Sequence, residues 1–249
     1  MAGGPSLAVV GAGAWGTTLA TLLSKAAPVT LLARDAAHAQ TLRADGENKR
    51  YLPGVPLDER VLVTADPADL EAASEVVVFA VPSRAMRSTV ASVAGSIPDA
   101  AVLLSVAKGI EAGTLLRMTE VIASELPAAQ ARVAALSGPN LALEISRGLP
   151  AAAVIGAADD EVCRRAVDIL GGRTFRLYRN RDVVGVELAG ALKNIVAIVA
   201  GAVEELGAGD NAKAAITTRG LAEMTRLGVA MGCLLYTSPS PRDMIPDRV

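Results

Sequence analysis

The chain has 249 residues, a length that suits one large domain or two smaller ones with a buried core. Hydrophobic residues make up 51% of the sequence but aromatic residues only 2%, a composition that favours alanine-rich helices packed on valine and leucine strands. The formal net charge is -2 and there is no basic run, which argues against a nucleic-acid partner and against an acidic membrane surface.

The most apolar stretch, residues 188–203, contains Lys193 and Asn194 in its middle. Ionisable groups are costly at the centre of a bilayer, and no apolar run reaches the length of about 18 residues that a span needs. We therefore expect a buried helix of a soluble protein and no membrane span.

The first residues lack the basic region of a secretory signal, and two cysteines, Cys163 and Cys233, are too few for a disulfide framework or a metal site. The expected location is the reducing cytoplasm, and no metal is expected.

Apolar runs of strand length alternate with helical stretches up to residue 182. In chain order we predict a strand at 7–10, a helix at 15–25, a strand at 29–32, a helix at 36–44, a loop at 46–60, a strand at 61–64, a short helix at 66–73, a strand at 75–80, a helix at 84–93, a strand at 101–105, a helix at 113–125, a strand at 133–137, a short helix at 141–147, a strand at 151–155, a helix at 160–170 and a strand at 174–178. The strands are continuous apolar runs, as expected where both faces of a sheet are covered. The pattern predicts an α/β fold of the Rossmann type, with a doubly wound, mainly parallel sheet.

The pattern changes after Asp182, where long alanine-rich helices are predicted at 186–206 and 211–231. We expect a Rossmann domain over residues 1–184 and the start of an all-helical substrate domain over residues 185–232. From Cys233 onward, prolines and serines end the helical pattern abruptly. A genuine tail is one interpretation. The other, which we favour, is that residues 233–249 are a non-native tail and that the helical domain is truncated.

Residues 11–16 follow the G-x-G-x-x-G pattern, directly after the first predicted strand and at the start of the first helix. In that position the pattern indicates an NAD(P)-binding loop. Gly11 permits the tight turn, Gly13 lets the backbone approach a pyrophosphate, and Gly16 lets the helix and strand pack closely. The helix N-terminus offers free N–H groups to the phosphates. The alternative is a plain glycine-rich turn.

The second predicted strand ends at Leu32-Ala33-Arg34-Asp35, near the expected position of an adenosine ribose. An acidic residue there binds the 2′-hydroxyl of NAD, whereas an arginine accommodates the 2′-phosphate of NADP. Arg34 points to NADP and Asp35 to NAD, so the cofactor is expected to be one or the other. Asp35 can also be the N-cap of the next helix.

Three further loops follow predicted strands, at the edge where open α/β sheets bind ligands. Residues 81–83, Val-Pro-Ser, fit a lining of the cofactor cleft and a simple strand end equally well. Lys108 can meet a substrate phosphate or a developing oxyanion, or it can face solvent. Gly138 lets backbone N–H groups approach a ligand, and Asn140 can bind a hydroxyl or cap the next helix.

Catalytic candidates are sought among the lysine, aspartate, asparagine and serine residues, because the one histidine, His38, lies in a polar predicted helix and is expected to be a solvated surface residue. Lys193 and Asn194 lie within a very apolar predicted helix. Burial lowers the pKa of a lysine, as a general base for an alcohol requires, and a second cation such as Lys108 has the same effect. The alternative is that Lys193 extends to water.

Together these motifs resemble those of the bacterial-type NAD(P)-dependent glycerol-3-phosphate dehydrogenases. The resemblance covers residues 7–232 and rests on the segments GAGAWGTTLA, NKRYLPG, FAVPS, SVAKGIE, LSGPNLALEISRGLP and the helical sequence from DVVGVELAGALKN to AEMTRLG. It implies an oxidoreductase that interconverts sn-glycerol 3-phosphate and dihydroxyacetone phosphate with NAD or NADP, for glycerophospholipid synthesis. The implied partner is a small phosphorylated substrate, and a homodimer is one assembly that stays open.

The resemblance also implies roles for individual residues. Lys193 would be the catalytic proton acceptor for the C2 hydroxyl, and Lys108 would contact both cofactor and substrate. The expected substrate-binding residues are Lys108, Gly138, Asn140, Lys193 and Asn194. The expected cofactor-binding residues are Gly11, Gly13, Ala14, Trp15, Gly16, Arg34, Tyr51, Lys108 and Ala142.

The sequence departs from the family pattern at several points. Ala14 stands where serine is frequent, Asn140 where serine or threonine is common, and Asp35 where a second basic residue often occurs. Nothing after Cys233 matches the Gly-Leu-Gly-Asp and Ser-Arg-Asn segments that supply further ligand-binding residues in the family. Without these segments the substrate pocket is expected to be open on one side, so inactivity of the chain as written is one expected outcome. Two alternative functions also stay open: a non-catalytic NAD(P)-binding module, and a related dehydrogenase acting on another hydroxy acid or on ketopantoate.

Overall fold

The computed structural model describes residues 7–73 and 75–234, which form an eight-stranded sheet, a two-stranded sheet and eight α-helices. The strands are β1 (Leu7–Val10), β2 (Val29–Leu32), β3 (Glu47–Asn48), β4 (Leu52–Pro56), β5 (Val61–Thr64), β6 (Val76–Phe79), β7 (Val102–Ser105), β8 (Val133–Ser137), β9 (Ala151–Gly156) and β10 (Phe175–Asn180). The helices are α1 (Ala14–Leu23), α2 (Ala36–Asp45), α3 (Met86–Val93), α4 (Met118–Glu125), α5 (Ala142–Ser146), α6 (Asp160–Leu170), α7 (Val183–Glu205) and α8 (Gly209–Ala230).

The strands of the large sheet lie in the order β10-β9-β8-β7-β6-β1-β2-β5. From β5 to β8 all neighbours pair in parallel, in the doubly wound order of dinucleotide-binding folds. β9 pairs antiparallel with β8, and β10 pairs in parallel with β9. The predicted Rossmann-type, mainly parallel sheet is therefore confirmed. Its strand order reverses between β1 and β6, the point where such sheets bind ligands.

Two hydrophobic cores cover the two faces of the sheet. One core packs α1, α2 and α6 against the sheet, and the other packs α3 and α4 on the opposite face. Val9 and Val78 belong to the first core, and their neighbours Val10 and Phe79 to the second. Side chains alternate between the faces of a strand, so burial on both faces explains why the central strands are continuous apolar runs.

Residues 46–60, predicted as a loop, contain a small antiparallel hairpin of β3 and β4. The prediction was wrong because β4 contains Pro53 and Pro56, and prolines within a run argue against a strand. The pairing is short and has a register shift between Glu47 and Asn48, which leaves no regular alternation for sequence reasoning to detect.

The helix predicted at 113–125 begins only at Met118. Gly113 and Leu115 have positive φ angles of 90° and 61°, so the chain turns tightly before the helix starts. Arg117 is the N-cap, and its backbone N–H donates to the Glu120 carboxylate at 2.9 Å. A leucine with positive φ is rare, and local propensity therefore did not predict this turn.

The two long helices α7 and α8 pack against each other, in agreement with the predicted helical region. The first half of α7 packs on β8 and β9 and buries Val186 and Leu188, but Ile195 and Ile198 in the second half are 59% and 72% exposed. The expectation of a buried helix over residues 188–203 was therefore wrong for this half, because α8 covers only one side of it. By length and composition alone, α7 also meets the requirement for a membrane-crossing helix, as core helices of soluble proteins can.

Candidate active site

The loop between β1 and α1 requires glycine at two positions. Gly11 has a φ of 109°, and a Cβ atom on it would lie 2.7 Å from the Ala80 carbonyl oxygen. A Cβ on Gly16 would lie 1.8 Å from the Gly11 carbonyl oxygen. Gly13 is the N-cap of α1, has no side-chain capping bond, and has open space where a Cβ would be. The first-turn N–H groups of α1 are therefore available to an anion, and the loop fits a pyrophosphate.

A cavity of about 530 Å³ extends from this loop along the carboxyl ends of β1, β2 and β6. This volume lies in the range of small-molecule sites, roughly 300–1,000 Å³. Its lining includes Gly11 and Gly13 from the loop, Arg34 after β2, and Tyr51 between β3 and β4. Residues 81–82 after β6 also line it, which favours the cleft interpretation of that turn. The structure thus brings four of the predicted cofactor-binding residues to one cavity.

Arg34 and Asp35 form an exposed ion pair at the end of β2, with 3.1 Å between Arg34 Nε and Asp35 Oδ2. Asp35 Oδ1 accepts a hydrogen bond of 2.8 Å from the His38 backbone N–H and caps α2, as the capping interpretation predicted. The hydrogen bond from His38 and the pair with Arg34 hold the pKa of Asp35 below its usual range. Arg34 lines the cavity, and its guanidinium is paired with Asp35.

His38 is not the solvated surface residue that the sequence suggested. Its ring lies half-buried against the Tyr51 ring, with 6.0 Å between the centroids, and it lines the cavity. His38 Nε2 is buried and has no hydrogen-bond partner in the part of the chain that the structure describes. The prediction was wrong because Tyr51, which packs on the ring, belongs to the hairpin segment that sequence patterns missed.

Trp15 and Ala142 are not among the residues that line the cavity, and each contacts a neighbouring element of the fold. The Trp15 indole packs edge-to-face on Phe175 of β10, at 6.3 Å between centroids, against the first core. Ala14 and Trp15 therefore offer a cofactor the backbone of the first turn of α1. The Ala142 carbonyl accepts a 3.2 Å hydrogen bond from Thr18 Oγ1, which holds α5 beside α1. The roles of these three residues in cofactor binding stay predictions.

Asn48 was not predicted as a site residue, yet it ties the glycine loop to the segment that carries Tyr51. Its buried Nδ2 donates to the Ala12 carbonyl oxygen at 3.0 Å and to Thr17 Oγ1 at 2.8 Å. Its Oδ1 accepts from the Tyr51 backbone N–H at 3.3 Å. One amide side chain therefore fixes the relative positions of two walls of the cavity.

We expect Asn48→Ala to lower the free energy of unfolding by about 2 kcal/mol, because it leaves a buried carbonyl without its donor. NADH affinity should fall as well, because the glycine loop and Tyr51 lose their common support. Urea unfolding and NADH titration measure the two effects. Asn211→Ala, at an exposed position of α8, is the matched control and should change neither. An unchanged unfolding midpoint in Asn48→Ala would show that the loop does not depend on this side chain.

Two lysines share one carbonyl oxygen at the carboxyl ends of β7 and β8. Lys108 Nζ and Lys193 Nζ each lie 3.1 Å from the Gly138 carbonyl oxygen, which also accepts from the Asn140 backbone N–H at 3.0 Å. Burial and the nearby charge of Lys193 lower the pKa of Lys108. Asn140 Oδ1 is buried and unpaired among the described residues. This cluster suits a small anion that carries a hydroxyl. Asn194 is exposed on α7 and is not part of the cluster, so its role stays a prediction.

Gly190 and Gly109 allow the backbone near Lys193 and Lys108 to pack closely on neighbouring elements. A Cβ on Gly190 would lie 2.4 Å from Ser137 Oγ, so glycine lets α7 approach the end of β8 one turn before Lys193. A Cβ on Gly109 would lie 2.6 Å from Ser83 Oγ, and its φ is 152°. The loop after β7 therefore packs tightly on the turn after β6. A side chain at either position would require the facing serine to shift.

An ion pair on the surface holds the other end of the loop after β7. The Glu111 carboxylate accepts two hydrogen bonds from the Arg87 guanidinium, at 2.9 and 2.7 Å, and Arg87 also pairs with Glu125 at the end of α4. The hydrogen bonds from Arg87 and Thr114 lower the pKa of Glu111. These contacts give the Lys-Gly-Ile-Glu segment a fixed conformation.

A second, buried ion pair fastens α7 to α4. Glu187 accepts hydrogen bonds from Arg117 Nη1 at 2.6 Å, from the Thr119 backbone N–H at 2.9 Å and from Thr119 Oγ1 at 2.6 Å. Burial raises the pKa of Glu187, although all three donors favour the carboxylate. Lys193 lies six residues further along the same helix, about 9 Å along its axis. The pair therefore fixes the helix that carries the lysine.

The doubly wound sheet, the glycine loop at its switch point and the lysine cluster at its carboxyl edge define an NAD(P)-dependent oxidoreductase of the Rossmann class. The family model described as the N-terminus of NAD-dependent glycerol-3-phosphate dehydrogenase matches residues 6–163, and the model of the C-terminus matches residues 182–239. The chain belongs to this family.

Individual relatives agree with the family models. The chain is 48% identical over 234 residues to a glycerol-3-phosphate dehydrogenase [NAD(P)+] of Moorella thermoacetica, an alignment that covers 93% of this chain and 69% of the relative. It is 46% identical to the enzyme of the same name from Corynebacterium glutamicum, over 91% of this chain and 69% of that one. The crystal structure of glycerol-3-phosphate dehydrogenase from Coxiella burnetii superimposes with a TM-score of 0.84 at 35% identity, covering 92% of this chain and 70% of the other.

Proposed function

We propose that the chain interconverts sn-glycerol 3-phosphate and dihydroxyacetone phosphate with NAD or NADP, for glycerophospholipid synthesis. The observation that carries the proposal is the meeting of Lys108 and Lys193 on the Gly138 carbonyl, beside the unpaired Asn140 Oδ1. The Lys108 ammonium group suits a phosphorylated substrate, and an unprotonated amino group at Lys193, within reach of a hydroxyl, would suit proton transfer. The relatives are named for this activity.

Each part of the site would have a distinct task. The glycine loop and the first turn of α1 would bind the pyrophosphate, and Arg34 and Tyr51 the adenosine end. The nicotinamide, when bound, supplies the hydride acceptor or donor for C2. Lys193 would accept the C2 hydroxyl proton at Nζ and return it in the reverse direction. Lys108 would bind the substrate through its charge, and Asn140 would orient a hydroxyl.

A substrate panel tests the activity. A full-length version, continued past residue 232 with the family's Gly-Leu-Gly-Asp and Ser-Arg-Asn segments, is assayed with glycerol 3-phosphate and dihydroxyacetone phosphate, each with NAD(H) and NADP(H), and with ketopantoate as the alternative substrate. We expect turnover of the phosphorylated pair alone. Turnover of ketopantoate but not of dihydroxyacetone phosphate would contradict the proposal. Binding of NADH without any turnover would favour the cofactor-binding module.

We propose that α7 is a core helix rather than a membrane span, and that the protein is cytoplasmic. Glu187 in this helix pairs with Arg117 of the α/β domain, and Lys193 bonds to a backbone carbonyl. Charged groups satisfied by protein partners are typical of a helix packed on a folded domain. We also propose that the boundary between the Rossmann domain and the helical domain lies near residues 184–185. Whether the chain forms a homodimer is a separate question that stays open.

The nature of residues 233–249 is a separate proposal. The chain spans about 69% of the length of the relatives it matches. The C-terminal family model nevertheless reaches residue 239, and Asp182 Oδ2 lies 2.9 Å from both Cys233 Sγ and the Leu234 backbone N. An independent read of the gene across codon 233 tests it. Continuation into Gly-Leu-Gly-Asp and Ser-Arg-Asn segments is expected, and confirmation of the present tail would contradict it.

A further inference from the structure

We propose that Glu111 is a positioning residue for Lys108, and that it fixes the distance between this lysine and Lys193. The inference rests on the proposed function, because the two lysines belong to the cluster that would bind the substrate. It goes further by giving a role in substrate affinity to a residue outside that cluster. Glu111 would act through the loop that carries Lys108 rather than by contact with substrate or cofactor.

The far end of that loop belongs to the same packed unit as Lys193. The β7–α4 loop, residues 106–117, carries Lys108 near its start and ends at Arg117, the N-cap of α4. Arg117 Nη1 donates to Glu187 Oε2 of α7 at 2.6 Å, and Glu187 is buried. Lys193 follows on the same helix. The position of Lys108 relative to Lys193 therefore depends on how the β7–α4 loop is held along its length.

Backbone contacts close the β7–α4 loop, but its middle has an unfavourable conformation. Ile110 and Arg117 form a single antiparallel bridge. The Glu111 N–H donates to the Leu116 carbonyl at 2.9 Å, and the Leu115 N–H donates to the Glu111 carbonyl at 3.0 Å. Leu115 has a φ of 61° and is 69% exposed, so little packing of its side chain offsets this strain. Such a conformation persists only where other contacts hold it.

The Glu111 carboxylate supplies further contacts that hold the loop. It accepts two hydrogen bonds from the Arg87 guanidinium, at 2.9 and 2.7 Å, and one from Thr114 Oγ1 at 2.5 Å. Arg87 in turn donates to Ser124 Oγ at 2.9 Å and pairs with Glu125, both on α4. A guanidinium that meets a carboxylate through two bonds fixes its direction as well as its distance. The carboxylate thus ties the loop to α3 and α4, three residues after the lysine.

An ion pair without a positioning role would affect stability alone, and usually little. Only 16% of the Glu111 side chain is exposed, so the pair with Arg87 is screened less than a fully exposed one. A positioning role predicts two additional effects of removing the Glu111 carboxylate. The distance between the two lysine amino groups should change, and the affinity for the phosphorylated substrate should fall.

The first test measures the distance between the lysines and needs no turnover. The chain is treated with the short amine cross-linker difluorodinitrobenzene, and the product joining Lys108 to Lys193 is quantified by peptide mass spectrometry. Both amino groups lie 3.1 Å from the Gly138 carbonyl oxygen, so the unaltered chain should give this product. Glu111→Ala should lower its yield roughly three- to tenfold, because the second attachment requires the two amines to lie close together.

Glu161→Ala is the matched control. Glu161 also accepts two hydrogen bonds from one guanidinium, that of Arg164, but it lies on α6, against the other face of the sheet. Its yield should equal that of the unaltered chain. Equal yields in the two variants would overturn the inference, as would absence of the product from the unaltered chain. If circular dichroism shows that Glu111→Ala is unfolded, Glu111→Gln replaces it, with a loss in the same direction expected.

The second test separates binding from chemistry in a full-length version continued past residue 232. Displacement of Lys108 removes a contact made before and during the reaction, so KM for dihydroxyacetone phosphate should rise roughly tenfold in Glu111→Ala, with kcat changed less than about twofold. Arg87→Met should raise KM similarly, and the double variant no further, because both act through one contact. Additive increases, or a loss confined to kcat, would overturn the inference. If the unaltered full-length protein showed no turnover, the proposed function would fail, and the cross-link yields would still decide the positioning role.

Discussion

In a full-length version of the protein, replacing Lys193 with alanine should lower kcat by roughly 10²–10⁴-fold, the usual contribution of a general acid or base. Lys193 Nζ is the group of α7 that bonds to the Gly138 carbonyl, beside Asn140, so its loss removes the proton acceptor from the cluster. NADH affinity should remain nearly intact, because Lys193 does not line the cofactor cavity. Steady-state kinetics and NADH titration separate the two effects.

The matched control is Lys213→Ala. Lys213 lies on the neighbouring helix α8 and pairs with Glu204 on the surface, so its removal changes the charge equally but leaves the cluster intact. Its kcat should match that of the unaltered protein. A retained kcat in Lys193→Ala would remove this lysine from the mechanism, and an equal loss in both variants would indicate a general effect of charge.

Replacing Arg117 with methionine should lower the free energy of unfolding by about 3–5 kcal/mol, because it leaves the Glu187 carboxylate buried without its cation. The two side chains are only 11% and 5% exposed, so water cannot take the place of the guanidinium. Chemical denaturation measures the loss. Arg164→Met is the control, because Arg164 pairs with Glu161 and Asp168 on the surface, and it should leave the stability nearly unchanged.

The loss should depend on pH in a defined direction. Burial already raises the pKa of Glu187, and removal of Arg117 raises it further. A carboxyl whose folded pKa lies above its unfolded pKa destabilises the fold when ionised. The loss in free energy of unfolding caused by Arg117→Met should therefore be largest at a pH above the raised pKa of Glu187. It should shrink as the pH falls through that pKa, because a protonated carboxyl needs no cation. A deficit independent of pH would indicate lost packing instead.

The sequence predicted a residue's position correctly where a local pattern, such as an apolar strand, determines where the residues after it lie in the fold. The sheet was predictable because its central strands are continuous apolar runs, and parallel strands present their carboxyl ends at one edge. Lys108, Gly138 and Asn140 were therefore expected at the same edge, where the structure places them in one cluster with Lys193.

The residues that sequence reasoning missed act through distant contacts. Asn48 bonds to the glycine loop 36 residues earlier, and Glu187 bonds to Arg117 across 70 residues. Asn48 lies in an irregular hairpin, and Glu187 is a single acidic residue in an apolar stretch of helix. In neither case does the local sequence indicate which distant residue the side chain will contact. The surroundings of His38 were missed for the same reason, since Tyr51 reaches the imidazole only after the hairpin has formed.

The anchoring of α7 bears on how this enzyme can be rebuilt. Glu187 attaches α7 to α4, and Gly190 allows α7 to lie close to β8. The position of Lys193 is therefore determined by contacts of α7 with the α/β domain. A rigid helix carries that alignment forward by one more turn. The helices that follow could then be exchanged between relatives without moving the proposed base. Chimaeras joined after residue 193 should keep the proton-transfer geometry, because Lys108, Gly138, Asn140 and Lys193 all lie before the junction.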